Sequence, residues 1–98
     1  MLTFTKQPSE TYTIGVPFAG KLPTGATVVS GTVVATDPAG ADVSVTVLQS
    51  GTATIVANEA RFRVKAGTHG TRYRITLVVT LDSSDVLEED IDMTVENI

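Results

Sequence analysis

Apolar and polar residues alternate along most of the chain with a period of two, and threonine and valine are frequent in the alternating segments. This pattern is typical of β-strands that bury one face, because successive side chains of a strand point to opposite sides. It gives little support to helices. It predicts strands at Leu2–Lys6, Thr11–Val16, Ala26–Thr36, Asp42–Leu48, Ala53–Ala57, Ala60–Ala66, Arg72–Leu81 and Val86–Glu96.

Strand-breaking residues separate these segments. Pro8 and Pro17 remove ladder donors, and Asp37-Pro38-Ala39-Gly40 combines a fixed φ with a permissive glycine. Short strands with turn signals about every 8–12 residues are typical of an antiparallel sandwich or barrel. A chain of 98 residues without a long low-complexity tract fits one domain, covering residues 1–98.

Three of the predicted strands have the clearest faces. Most apolar residues in each share one parity, with Val78 as an exception, while acids, arginines and threonines occupy most of the other positions. We therefore expect three sets to face the core: Tyr73, Ile75, Leu77, Val79 and Leu81; Ile91, Met93 and Val95; and Val43, Val45 and Val47.

Hydrophobic residues make up 42% of the chain but aromatic residues only 5%, so the core must be built from small aliphatic side chains. Such a core is thin, and burial against a neighbouring subunit would add apolar contact. Cysteine is absent, which excludes disulfides, thiolate metal sites and a cysteine nucleophile.

The amino terminus lacks the basic-then-apolar order of a secretory signal, and no segment approaches the roughly 20 apolar residues of a membrane span. We expect synthesis in the cytosol and no membrane partner. The net charge of −4 argues against sequence-independent binding to nucleic acid.

Few residues are candidates for catalysis or for metal binding. His69 is the single histidine, in a glycine-bracketed loop, and no G-x-S-x-G turn accompanies it. Of the 11 acids, seven follow residue 81, but no D-x-[DN]-x-[DN]-G loop arranges them around calcium. We expect a protein that is not an enzyme and that has no metal or other cofactor.

Charged residues supply the candidate interface. Arg61, Arg63 and Lys65 share a face of one strand, and Arg72 and Arg74 share a face of the next, so a hairpin would bring five cations together. The last strand is acidic and carries Glu88, Asp90 and Asp92 on one face. These cations and acids could pair within one chain, where each exposed pair contributes about 0–1 kcal/mol. They could equally pair between subunits and set their orientation.

The segment around Tyr73 resembles two known arrangements. A tyrosine early in a late strand, with Ile75 two places on, is similar to the tyrosine corner of immunoglobulin-like sandwiches, in which the hydroxyl bonds to upstream backbone. The segment Gly67-Thr68-His69-Gly70-Thr71-Arg72-Tyr73-Arg74-Ile75 also resembles the Gly-x-x-Gly-Thr-x-Tyr-x-Val/Ile motif of the fibre–tail adaptors, small virion proteins of tailed bacteriophages. Glu89 and the Ile91-x-Met93-x-Val95 ending fit the same family.

The resemblance implies an all-β fold, a single antiparallel immunoglobulin-like β-sandwich of about seven to eight strands, with Tyr73 as its structural corner. It implies a structural virion protein in the tail or neck, present in multiple copies of a symmetric assembly and bound to tail or neck components and to fibre or collar proteins. Two alternatives stay open. One is a capsid decoration protein, and the other is an immunoglobulin-like module that binds carbohydrate or a cell surface.

Overall fold

A computed structural model describes residues 2–97 of the protein, and strands account for most of them. Two short helical elements interrupt the strands in this range: a 3-10 turn at Ala19–Lys21 and an α-helical turn, α1, at Ser44–Val47. The strands are β1 (Leu2–Lys6), β2 (Tyr12–Pro17), β3 (Val28–Thr36), β4 (Thr52–Val56), β5 (Glu59–Val64), β6 (Thr71–Leu81) and β7 (Val86–Val95). The predicted all-β class is confirmed.

The strand predicted at Asp42–Leu48 is wrong, because this segment forms α1. The Asp42 carboxylate accepts hydrogen bonds from the Ser44 N–H at 2.9 Å and the Ser44 hydroxyl at 2.7 Å, which starts the turn. Val47 is fully buried, whereas Val45 is 87% exposed. Val43 also packs against the core. It lies four residues before Val47, which is the spacing of residues on one face of a helix.

The strands form one mixed sheet that curls around the core, in the order β1-β7-β6-β3-β4-β5-β2. The expectation of a purely antiparallel sheet is wrong at one ladder, since β1 runs parallel to β7 from Leu2↔Ile91 to Lys6↔Val95. The chain leaves β1 at one edge of the sheet and enters β2 at the other. No hairpin therefore forces an antiparallel neighbour on β1.

The ladder between β3 and β4 is the shortest in the sheet, with two residue pairs at Gly31↔Ala53 and Thr32↔Thr52. A Cβ atom at position 31 would lie 3.2 Å from the Ala53 Cβ and 3.3 Å from the Val79 Cγ1. Glycine at this position therefore leaves room for the side chains of Ala53 and Val79 on the two neighbouring strands.

The core lies inside the curl and contains the apolar faces predicted for β6 and β7. The buried residues of these strands are Tyr73, Ile75, Leu77, Val79, Leu81, Ile91, Met93 and Val95. Phe18 and Phe62 are buried with them. Two of the three predicted inward faces are thus confirmed, and the third is wrong because Val45 points away from the core.

The two edges of the curled sheet approach each other at one point. The rings of Phe4 in β1 and Tyr12 in β2 meet edge to face, with 6.2 Å between centroids. The Tyr12 hydroxyl donates a hydrogen bond of 3.4 Å to the carbonyl of Thr5. Burial of Tyr12 raises the pKa of its hydroxyl.

Candidate protein-interaction surfaces

The outer face of β5 carries the first of two charged rows. Ala60, Phe62 and Val64 point into the core, so Arg61 and Arg63 point outwards. Lys65 follows the strand with the same parity and is half-buried. We refer to Arg61, Arg63 and Lys65 as the cation row.

Short polar side chains flank the cation row on the neighbouring strands. Thr13 of β2 lies opposite Arg63, and its hydroxyl accepts a long hydrogen bond of 3.4 Å from the Arg63 guanidinium. Thr54 of β4 lies opposite Arg61. Gln49, Ser50 and Thr52 line the same open depression. The arginines therefore stand on an open surface that is rich in hydroxyl groups.

The outer face of β7 carries the second row, formed by Glu88, Asp90 and Asp92, which we call the acid row. Asp90 accepts a hydrogen bond of 3.1 Å from the Thr76 hydroxyl, and Asp92 accepts one of 3.4 Å from the Arg74 Nε. Glu88 is exposed and lies opposite Val78. The acid row thus has one member held by an arginine, one held by a hydroxyl and one directed to solvent.

The predicted clustering of five cations on one surface is wrong. It required β5 and β6 to pair as a hairpin, but β5 pairs with β2 and β4, whereas β6 pairs with β3 and β7. Arg72 and Arg74 therefore lie beside the acid row, opposite Thr94 and Asp92. The cation row lies on another part of the curled sheet, and the core separates the two.

Some of the charges pair within the chain. Among residues 2–97 the ion pairs are Lys21 with Glu89 at 2.6 Å, Arg61 with Glu59, and Arg74 with Asp92 at 3.4 Å. Within the same residues, no carboxylate lies within 4.0 Å of Arg63, Lys65 or Arg72. Pairing inside the chain therefore leaves much of the charge of both rows available to a partner.

The loop between β5 and β6 is held by Tyr73 and by the glycine that precedes Thr68. The buried Tyr73 hydroxyl accepts a hydrogen bond of 3.0 Å from the backbone N–H of Thr68, five residues upstream. Gly67 has a φ of +102°, and a Cβ there would lie 2.8 Å from the Val95 Cγ2. This geometry places the loop against the end of β7.

Lys6 is a structural residue that the sequence pattern did not single out. Its side chain is 1% exposed, and its ammonium group donates to the carbonyls of Gln7 at 2.7 Å, Pro8 at 3.4 Å and Ala66. Burial lowers the pKa of Lys6. The alternation in β1 did indicate that Lys6 points inwards, because Lys6 shares its parity with Phe4, which packs against the core.

The other candidate groups of the sequence are His69, the acidic residues and the aromatic rings. His69 is exposed, and its Nδ1 accepts a hydrogen bond of 2.8 Å from the Asn97 N–H. Within residues 2–97, no three metal-ligating side chains come together, and no helix is long and apolar enough to cross a membrane. Phe18, Phe62 and Tyr73 are buried, and Phe4 and Tyr12 are half-buried against each other. These rings offer no exposed platform on which a sugar could stack.

The structure thus defines a curled all-β protein with rows of charged residues on the outer faces of β5 and β7. The sequence model of the family described as podophage GP4 fiber-tail adaptor protein gp77 matches residues 6–94. The chain therefore belongs to this family of bacteriophage tail proteins, and the predicted relation to fibre–tail adaptors is confirmed. No curated protein matches the sequence.

Proposed function

We propose that this protein is a structural subunit of the virion that links the tail or neck of a bacteriophage to its fibre or collar proteins. The observation that carries the proposal is the family match, which extends from Lys6, the last residue of β1, almost to the end of β7. The work of the protein is binding, and no catalytic step is part of it.

The distribution of charge supports a linking role. A linker needs at least two surfaces that can be occupied at the same time. The cation row and the acid row are such surfaces, because they lie on different parts of the curled sheet with the core between them. Complementary charge at each contact would fix the orientation of the partners.

The order of the strands in the sheet also supports an immunoglobulin-like sandwich fold in a single domain. The strands β3, β6, β7 and β1 would form one layer and β4, β5 and β2 the other, joined by the two-residue ladder between β3 and β4. In this reading Tyr73 has the position of the corner tyrosine. Its hydroxyl engages the upstream backbone through the Thr68 N–H.

Cryo-electron microscopy of the parent particle tests the proposed role. Density that fits the curled sheet at the junction of tail and fibre is the expected result. Density on the head would replace the proposal with a capsid decoration role, and absence from the particle would overturn both.

Variants of the isolated protein give an independent test. Arg63→Glu reverses an exposed charge that has no carboxylate within 4.0 Å among residues 2–97, and we expect it to reduce binding to purified tail or fibre proteins. Val86→Thr is a control, since Val86 is exposed on β7 outside both charged rows. Circular dichroism should show that both variants remain folded, and equal binding by the two would exclude Arg63 from the interface.

A further inference from the structure

We propose that the cation row of one copy of this protein binds the acid row of a second copy. The inference rests on the proposed structural role: it assigns contacts between copies to these rows, and the rows left free at the ends of an open assembly stay available to tail and fibre proteins. It differs from pairing within the chain, because the core separates the two rows of a single copy.

The two rows match in number and spacing. Arg61, Arg63 and Lys65 occupy alternate positions along β5 and its continuation, and Glu88, Asp90 and Asp92 occupy alternate positions along β7. Residues two apart in a strand are separated by roughly 6.4–6.8 Å. Three cations of one copy can therefore face three carboxylates of the next at the same time.

A fourth charge selects the direction in which the rows meet. Glu59 precedes the cation row on the same face of β5, so an antiparallel alignment of Arg61 with Asp92 places Glu59 opposite Thr94. Arg72 is the cross-strand neighbour of Thr94 and has no carboxylate within 4.0 Å among residues 2–97. Glu59 already pairs with Arg61 of its own chain, and this alignment would bring a second cation, Arg72 of the other copy, near it.

The opposite direction lacks this match. Aligning Arg61 with Glu88 would place Glu59 opposite Val86, whose cross-strand neighbour is Thr80. A carboxylate would then face an apolar side chain and a hydroxyl. The antiparallel alignment, with Arg63 opposite Asp90 and Lys65 opposite Glu88, is therefore the one that we propose.

Both surfaces also allow close approach. Thr13 and Thr54 flank the cation row, and Thr76 flanks the acid row at Asp90. Arg74 flanks the acid row at Asp92, with which it pairs, so the closest approach is expected at Asp90 and Glu88. The contact is polar and exposed, so salt should weaken it.

The contact joins different surfaces of the two copies and is therefore heterologous. A pair of copies retains one free acid row on the first copy and one free cation row on the second, so further copies can add at both ends. Such contacts generate a ring when the rotation between copies closes and an open chain when it does not.

Disulfide trapping tests the alignment, and the chain has no cysteine of its own to interfere. A chain carrying Arg63→Cys and Asp90→Cys should form a ladder of dimers, trimers and larger species on oxidation. Asp85 is exposed in the turn between β6 and β7, so a chain with Arg63→Cys and Asp85→Cys is the matched control. An equal ladder from the control, or no multimer from the test chain, would overturn the proposal.

Charge exchange tests the same contact without a covalent bond. In sedimentation experiments at low salt, Arg63→Glu and Asp90→Lys should each raise the dissociation constant for self-association about tenfold or more. A chain carrying both changes should associate as the unchanged protein does, since the pair is restored in the opposite sense. Failure of that rescue, or a wild-type protein that is monomeric at every concentration, would overturn self-association.

The outcome separates this inference from the proposed function. A monomeric wild-type protein that still binds tail or fibre proteins would overturn self-association and leave the linking role in place. Self-association without binding to any tail or fibre component would support the row-to-row contact and count against the linking role.

Discussion

Lys6 shows how one side chain can join two loops of a small protein. Its three donors reach the carbonyls of Gln7, Pro8 and Ala66, so the loop after β1 and the loop after β5 share one ammonium group. Alternation in β1 predicts that position 6 faces inwards, but residue type predicts an exposed lysine. The conflict could not be resolved from the sequence, because the carbonyl of Ala66 comes from a distant part of the chain.

The lowered pKa of Lys6 predicts a pH dependence of stability. The folded protein releases this proton at a lower pH than the unfolded chain, whose lysine titrates near the ordinary value of 10.5. Between the two pKa values the unfolded chain binds one more proton, so the Lys6 contribution to the free energy of unfolding rises with pH. Below the folded-state pKa that contribution is constant.

Urea denaturation of the wild type and Lys6→Met, from neutral pH to pH 10.5, measures this contribution. The difference in unfolding free energy should grow in favour of the wild type as the pH rises. Tyr12 has a raised pKa and acts in the opposite sense, but both chains retain it and its effect cancels. A difference that stays level or falls with pH would contradict the assignment.

Helix α1 is the single element for which the two-residue periodicity of the sequence gave the wrong secondary structure. The valines at 43, 45 and 47 are two apart, which indicates a strand, yet a spacing of four also fits a helical turn. The side chains of Asp42 and Ser44 decide the outcome, because they bond to each other and Ser44 accepts a hydrogen bond from the Ala35 N–H of β3. In β6 and β7, alternation predicted the buried face correctly.

Two valine substitutions test the observed form of this element. Val47→Ala removes two methyl groups from a fully buried site and should lower the free energy of unfolding by about 2 kcal/mol. Val45→Ala, at a site that is 87% exposed, should change it by less than about 0.5 kcal/mol. Equal losses in chemical denaturation would indicate a strand that buries both side chains.

At the scale of the whole molecule, the sequence indicated the strands, with Asp42–Leu48 as the one wrong segment, but it did not indicate how the charged strands pair. The alternation of apolar and polar residues indicates which face of a strand is buried, but it does not indicate which strand lies next to it in the sheet. Both charged rows were therefore found from the sequence, while their positions relative to each other were not. The prediction of five clustered cations was wrong because the chain crosses to another part of the sheet after β5.

The sheet order predicts a gradient of protection across the molecule. β6 is bonded to β3 and β7 along most of its length, whereas β2 has one ladder neighbour, β5. In native-state hydrogen exchange, the bonded amides of β6 should exchange only through global unfolding, and those of β2 through smaller openings. Equal protection of the two strands, measured by NMR at low urea, would contradict this view of the core.

The parallel ladder between β1 and β7 also determines how the protein would respond to a mechanical load. Leu2 lies beside Ile91 at one end of the ladder, and Lys6 lies beside Val95 at the other. Tension applied between Leu2 and Val95 would slide the two strands past each other in shear. All the hydrogen bonds of the ladder would then bear the load together, whereas peeling would break them one at a time. A tension-bearing connection made through these two ends would therefore yield only when the whole ladder fails.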